Sequence, residues 1–263
     1  MAKIKVKNTG RSKGRGKAGL GGGKLGYMDD VHRPVTCLYF LLPMVVLYEL
    51  GVVYTSGSIH TAQANRVIAF QIFQKFLALF GASGYYLPGL AIVMILVAWQ
   101  FATGGKWKVR GQTILGMAFE SILLAVPLVV LAHVASGYST VMYASEAWAK
   151  SWLSELLLSV GAGIYEELLF RLIFISVLSI ILMDILGVGE GPAIFSIMII
   201  SAVVFSLYHY LGDESFKWHS FVFRTMAGGY LAGVFILRGF GIVVGCHVVY
   251  DLMAMGMNGM LHK

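Results

Sequence analysis

The chain has 263 residues, of which 58% are hydrophobic and 13% charged, with a formal net charge of +7. A soluble domain carries about 25% charged residues, so this composition excludes an ordinary soluble globular fold. The positive balance is not a nucleic-acid signature either, because nine of the 20 Lys and Arg residues precede position 34. What remains is an all-α, polytopic transmembrane helical bundle: one domain over residues 34–263 behind a basic tail. Cys37 and Cys246 both lie in apolar segments and read as small buried residues rather than a disulfide.

Residues 1–33 are basic and Gly-rich, a composition that predicts a disordered tail in contact with anionic lipid. The Gly-Leu-Gly-Gly-Gly-Lys run at 19–24 fails as a phosphate loop: Ala18 occupies the first required Gly position and Leu25 replaces the Ser or Thr. The basic region is too long for a signal peptide, and no small-residue cleavage pattern follows the first apolar run. The first span is expected over Val35–Tyr54, with Pro43 and Glu49 inside it. Residues 62–81 mix apolar positions with Gln63, Arg66, Gln71, Gln74 and Lys75, the pattern of an amphipathic helix lying in the interface. The later spans are expected over Tyr86–Ala102, Thr113–Ala135 with a kink at Pro127, Trp152–Met183, Pro192–Leu211, Ser220–Leu237 and Ile242–Met257. In the sixth, Arg224, Gly228, Gly229 and Gly233 suggest close helix packing.

This reading gives about seven spans, or eight if residues 62–81 also cross. The tail and the loop carrying Lys106, Lys108 and Arg110 hold the basic excess, which predicts a cytoplasmic N-terminus. Eight spans would put that loop on the opposite side.

The segment around Glu166-Glu167-Leu-Leu-Phe-Arg171 organises the rest. Charged side chains at membrane depth are costly and normally face a bundle interior or a water-filled cavity. Glu167 and Arg171 are four apart, so they share a helix face and can form a structural ion pair. Glu166 points elsewhere and is the carboxylate left for chemistry. A cluster serving only helix packing is the alternative. Partners come from later spans: His209 on the fifth, and His247 with Asp251, four apart, on the seventh. Glu166 can act as general base towards water, His209 can orient that water, and His247 can donate to the oxyanion. Glu plus two His is also a zinc ligand set, but the short His-Glu-x-x-His helix motif is absent, so no cofactor is favoured and zinc stays the alternative.

Taken in order, Glu166-Glu167-x-x-x-Arg171, Phe205-x-x-x-His209 and His247-x-x-x-Asp251 resemble the three motifs of the CAAX protease and bacteriocin-processing (Abi) family, which includes the Ras-converting CAAX endopeptidases. The resemblance covers residues 151–257. It implies an intramembrane glutamate-type endopeptidase acting on a peptide or lipidated protein substrate. In it, Glu166 and His209 activate water, His247 and Asp251 face the oxyanion, and Glu167 and Arg171 support the site. The eukaryotic CAAX proteases have Asn where this chain has Asp251. An ionised Asp cannot donate a hydrogen bond, so Asp251 either is protonated, orients His247 or ligates a metal. Bacterial members of the family process peptides or act in immunity to them. A non-catalytic membrane scaffold and a proton-relaying transporter are the competing classes.

Overall fold

A computed structural model describes residues 26–57, 66–136, 152–212 and 214–261. Among these the fold is all-helical. The helices are α1 (Tyr27–Val31), α2 (Pro34–Ser56), α3 (Ile68–Ala78), α4 (Leu87–Thr103), α5 (Gly111–Ser136), α6 (Trp152–Ile185), α7 (Glu190–Tyr208), α8 (Trp218–Arg238) and α9 (Phe240–Leu261). Six of them, α2 and α5 to α9, are long and apolar enough to cross a membrane among the described residues. This differs from the expected count. α4 is apolar and, with 17 residues, falls just below the length of those six, at the lower end of the range of about 17–25 residues that spans a bilayer. The amphipathic segment forms the 11-residue α3, which buries Ala69, Phe70 and Phe73.

The tail expectation falls mainly on residues 1–25, outside the described residues. Its last stretch is folded: α1 packs beside α5, and Asp30 accepts hydrogen bonds from Arg33 (2.8 Å), Arg110 (3.0 Å) and Thr113 (2.7 Å). Arg33 also donates to the carbonyls of Lys106 and Lys108. Glu120 joins this end of the bundle, accepting from the Tyr27 hydroxyl (2.7 Å) and from Arg238. The end of the tail, the basic loop and the α8–α9 turn therefore share one face.

α6 is not a uniform α-helix. A regular segment, Trp152–Glu167, passes into a π-helical stretch, Leu168–Phe174, with a second at Ile180–Ile185. Such turns bond five residues back instead of four and often occur at functional sites. Here the change of pitch begins immediately after Glu166 and Glu167. Gly161 and Gly163 let the preceding turns approach their neighbours: a Cβ at Gly161 would run into the Tyr48 ring of α2, and one at Gly163 into Val248 of α9. Small residues at helix contacts allow such backbone approach in a bilayer, where apolar burial gives no drive between helices. Of the glycines on α8, Gly228 makes the close contact, its would-be Cβ lying 3.0 Å from Phe205 and 3.2 Å from the Ala202 Cα, whereas Gly233 meets only Met198 at 3.6 Å.

Candidate active site

Three helices carry the site. α6 supplies Glu166, Glu167 and Arg171, α7 ends at His209, and α9 supplies His247 and Asp251. Glu167 and Arg171 are fully buried, Glu166 is 7% exposed and His247 6%. Every candidate residue named from the sequence converges here. Glu166 Oε2 lies 3.8 Å from His209 Nε2 and 4.0 Å from His247 Nε2, and His247 Nε2 lies 3.7 Å from Asp251 Oδ2.

His209 is held by the end of its own helix. The last turn of α7 tightens into a 3₁₀ turn, His209–Leu211, and the His209 Nδ1 lies 2.8 Å from the Phe205 carbonyl four residues back. A histidine in a last helical turn satisfies a carbonyl that has no backbone partner. With Nδ1 as the donor, neutral His209 keeps its Nε2 lone pair towards Glu166. The Phe205 ring packs against both imidazoles, with centroids 4.9 Å from His209 and 6.3 Å from His247. The motif phenylalanine therefore spaces the two histidines.

Glu167 does more than the spacing predicted. Its Oε2 is 3.1 Å from Arg171 Nε, and its Oε1 is 2.7 Å from His247 Nδ1. The contact with Arg171 is an ion pair without hydrogen-bond alignment, since both atoms lack a hydrogen-bond partner among the described residues. Arg171 is held instead by a hydrogen bond to the Gly228 carbonyl (3.3 Å) and by the Phe205 ring, 4.3 Å from the guanidinium carbon. The hydrogen bond of Glu167 goes to His247, so Glu167 takes the imidazole-orienting place that the sequence reading offered to Asp251.

Two further residues escaped sequence reasoning. The Tyr208 hydroxyl lies 3.5 Å from Glu166 Oε1, the other oxygen from the one nearest the two histidines. Tyr165 donates to Glu49 Oε1 (2.7 Å), whose other oxygen pairs with Arg66 (2.7 Å). Arg66 had been read as the polar face of an amphipathic helix. It is buried, with its guanidinium carbon 4.1 Å from the Phe70 ring centroid. The available signal was Glu49 itself, a carboxylate inside an apolar span that requires a partner.

Among the described residues, no group of three or more His, Cys, Asp and Glu side chains is arranged to hold a metal ion.

Comparison with known families bears out the resemblance over the site-bearing part of the chain. A family model described as Rce1-like, Type II CAAX prenyl endopeptidase, matches residues 147–253. That span contains Glu166, Glu167, Arg171, His209, His247 and Asp251. No curated protein and no solved structure matches the chain.

Proposed function

We propose that this integral membrane protein, matched over residues 147–253 by a family of CAAX prenyl endopeptidases, is an intramembrane glutamate-type endopeptidase. Its substrate is a peptide or prenylated protein presented from within the membrane. The observation that carries the reading is one carboxylate oxygen, Glu166 Oε2, set 3.8 Å and 4.0 Å from two imidazole Nε2 atoms on two other helices. Those separations are too long for direct hydrogen bonds, but a single water can lie within about 2.7–3.2 Å of both Glu166 and His209.

In this mechanism the water donates one hydrogen to Glu166 and the other to the His209 Nε2 lone pair. Its oxygen attacks the scissile carbonyl as Glu166 takes the proton. His247, with Nδ1–H on Glu167 and Nε2–H towards the site, donates to the tetrahedral oxyanion. Glu166 then returns its proton to the leaving nitrogen, the C–N bond breaks, and one acid and one amine are released. Asp251 flanks the oxyanion position. Tyr208 fixes Glu166 Oε1 and so directs Oε2 to the water.

The test is cleavage of S-farnesylated and unmodified peptides by purified protein in detergent. Wild type should release fragments, and Glu166→Gln should release none while melting as wild type does. Full cleavage by Glu166→Gln removes the mechanism.

A further inference from the structure

We infer that Arg224 is an anchor for a substrate carboxylate, and that Glu214 occupies its place when no substrate is bound. This inference rests on the endopeptidase reading and names what that site selects. The register of α7 against α8 sets the position. Gly228 packs on Phe205. One turn towards the start of α8 is Arg224, and one turn towards the end of α7 is His209, so this register carries Arg224 to the end of α7 that bears His209, where it lies against Tyr210.

The site around Arg224 is built for a carboxylate. Arg224 Nη2 donates to Glu214 Oε2 at 2.8 Å, and Ser220 Oγ donates to Glu214 Oε1 at 3.3 Å. The side chains of Arg224 and Glu214 are only 12% and 15% exposed, and the guanidinium carbon lies 5.7 Å from the Tyr210 ring centroid. Arg224 Nη1 is buried without a hydrogen-bond partner among the described residues. A guanidinium presents a planar fork that matches a carboxylate in two bonds. Glu214 takes one prong and leaves the other unused, which fits a placeholder better than a finished ion pair. Glu214 lies in the short connection between α7 and α8, not on a helix, so it can be displaced without breaking either. The recognised carboxylate therefore lies at the end of α7 that bears His209. It can be the free C-terminus of the substrate or an acidic side chain close to the cut.

The Glu166→Gln variant in detergent separates binding from turnover. The probe is a dye-labelled peptide ending in S-farnesyl-cysteine and three aliphatic residues, read by fluorescence anisotropy. It is used as the free acid, as the C-terminal amide, and as an amide with Asp as the last residue. The free acid should bind about 10–100-fold tighter than the amide, the worth of a charge-assisted hydrogen bond. Recovery of affinity by the aspartyl amide assigns the anchor to any nearby carboxylate, and its failure to recover assigns it to the C-terminus. Adding Arg224→Gln should collapse the acid–amide gap, Arg224→Lys should keep part of it, and Glu214→Gln should tighten the free acid several-fold. Equal binding of acid and amide, or a gap that survives Arg224→Gln in folded protein, overturns the anchor. Unchanged acid binding in Glu214→Gln overturns the placeholder. Wild type that shows the gap but cuts nothing sinks the endopeptidase reading alone, whereas cleavage without the gap sinks the anchor alone.

Discussion

Glu167 and His247, 80 positions apart in the chain, are joined by a 2.7 Å hydrogen bond between two buried side chains. This bond ties α6 to α9 and sets which imidazole nitrogen faces Glu166. The same carboxylate balances the fully buried Arg171. One residue therefore both balances Arg171 and orients His247, where helical spacing alone had suggested a division: Glu167 for structure, Glu166 for chemistry.

The two adjacent glutamates should separate in melting but not in activity. Glu167→Gln leaves Arg171 buried without its counter-charge, a loss on the order of 3–5 kcal/mol when one member of a buried pair is removed. It also frees His247 to turn. Cleavage and thermal stability should fall together. Glu166→Gln should abolish cleavage with a melting temperature close to wild type. Equal drops in melting for the two variants would contradict this.

The long apolar spans, the three motifs and their convergence were legible in the sequence because charge in an apolar helix has few tolerable environments. Glu49 was legible as a carboxylate inside an apolar span, which needs a partner for the same reason. Its partner Arg66 was not, because a single Arg among glutamines fits a surface face equally well, and only packing beside Phe70 and Tyr48 distinguishes the two. The π-helical turns after Glu167 were also hidden, since hydrophobic periodicity cannot register a change of pitch in a segment that is apolar all round. The folding of residues 26–33 depended on Asp30, whose partners Arg110 and Thr113 lie 80 and 83 positions away.

Asp30 should give the bundle a specific acid sensitivity. Burial by itself raises the Asp30 carboxyl, but hydrogen bonds from Thr113, Arg33 and Arg110 outweigh it and hold the group below its ordinary value. A folded-state value below the unfolded one stabilises the fold above the ordinary carboxylate range, near about pH 4, and loses that contribution as pH falls through the depressed value. Asp30→Asn should therefore melt below wild type at pH 7, and the difference should shrink under acid conditions. A difference that is constant with pH would rule out the ionic origin.

Gly163 should be intolerant of the smallest side chain. A Cβ there would collide with the Val248 side chain and come within 3.0 Å of the Val248 backbone nitrogen, next to His247. The side chain can yield, but the backbone of a packed helix cannot without moving His247. Gly163→Ala should lower both melting temperature and cleavage. Gly233→Ala meets only the flexible end of Met198 at 3.6 Å. It should be neutral or gain up to about 1 kcal/mol from helix propensity. Equal tolerance at both positions would show that α6–α9 contact does not set the site.

Glu166, His209 and His247 should behave as one unit. Water activation needs a base and an oriented water at the same moment, so Glu166→Gln and His209→Ala should each abolish cleavage, and the double variant should be scarcely worse than either single. Asp251 is different. Glu167 already holds His247 Nδ1 at 2.7 Å, while Asp251 Oδ2 faces Nε2 at 3.7 Å, the nitrogen turned towards the reaction. Asn at this position keeps the size and adds an N–H donor. With its carboxyl protonated, Asp251 can donate to the same oxyanion, so Asp251→Asn should retain cleavage, whereas Asp251→Ala should lose about 10²–10³-fold, as when an oxyanion donor is removed. Chelator should leave the rate unchanged if the protein groups act without a metal. Loss of activity with chelator, its return on adding Zn²⁺ and a dead Asp251→Asn would together replace this mechanism with a zinc-dependent one.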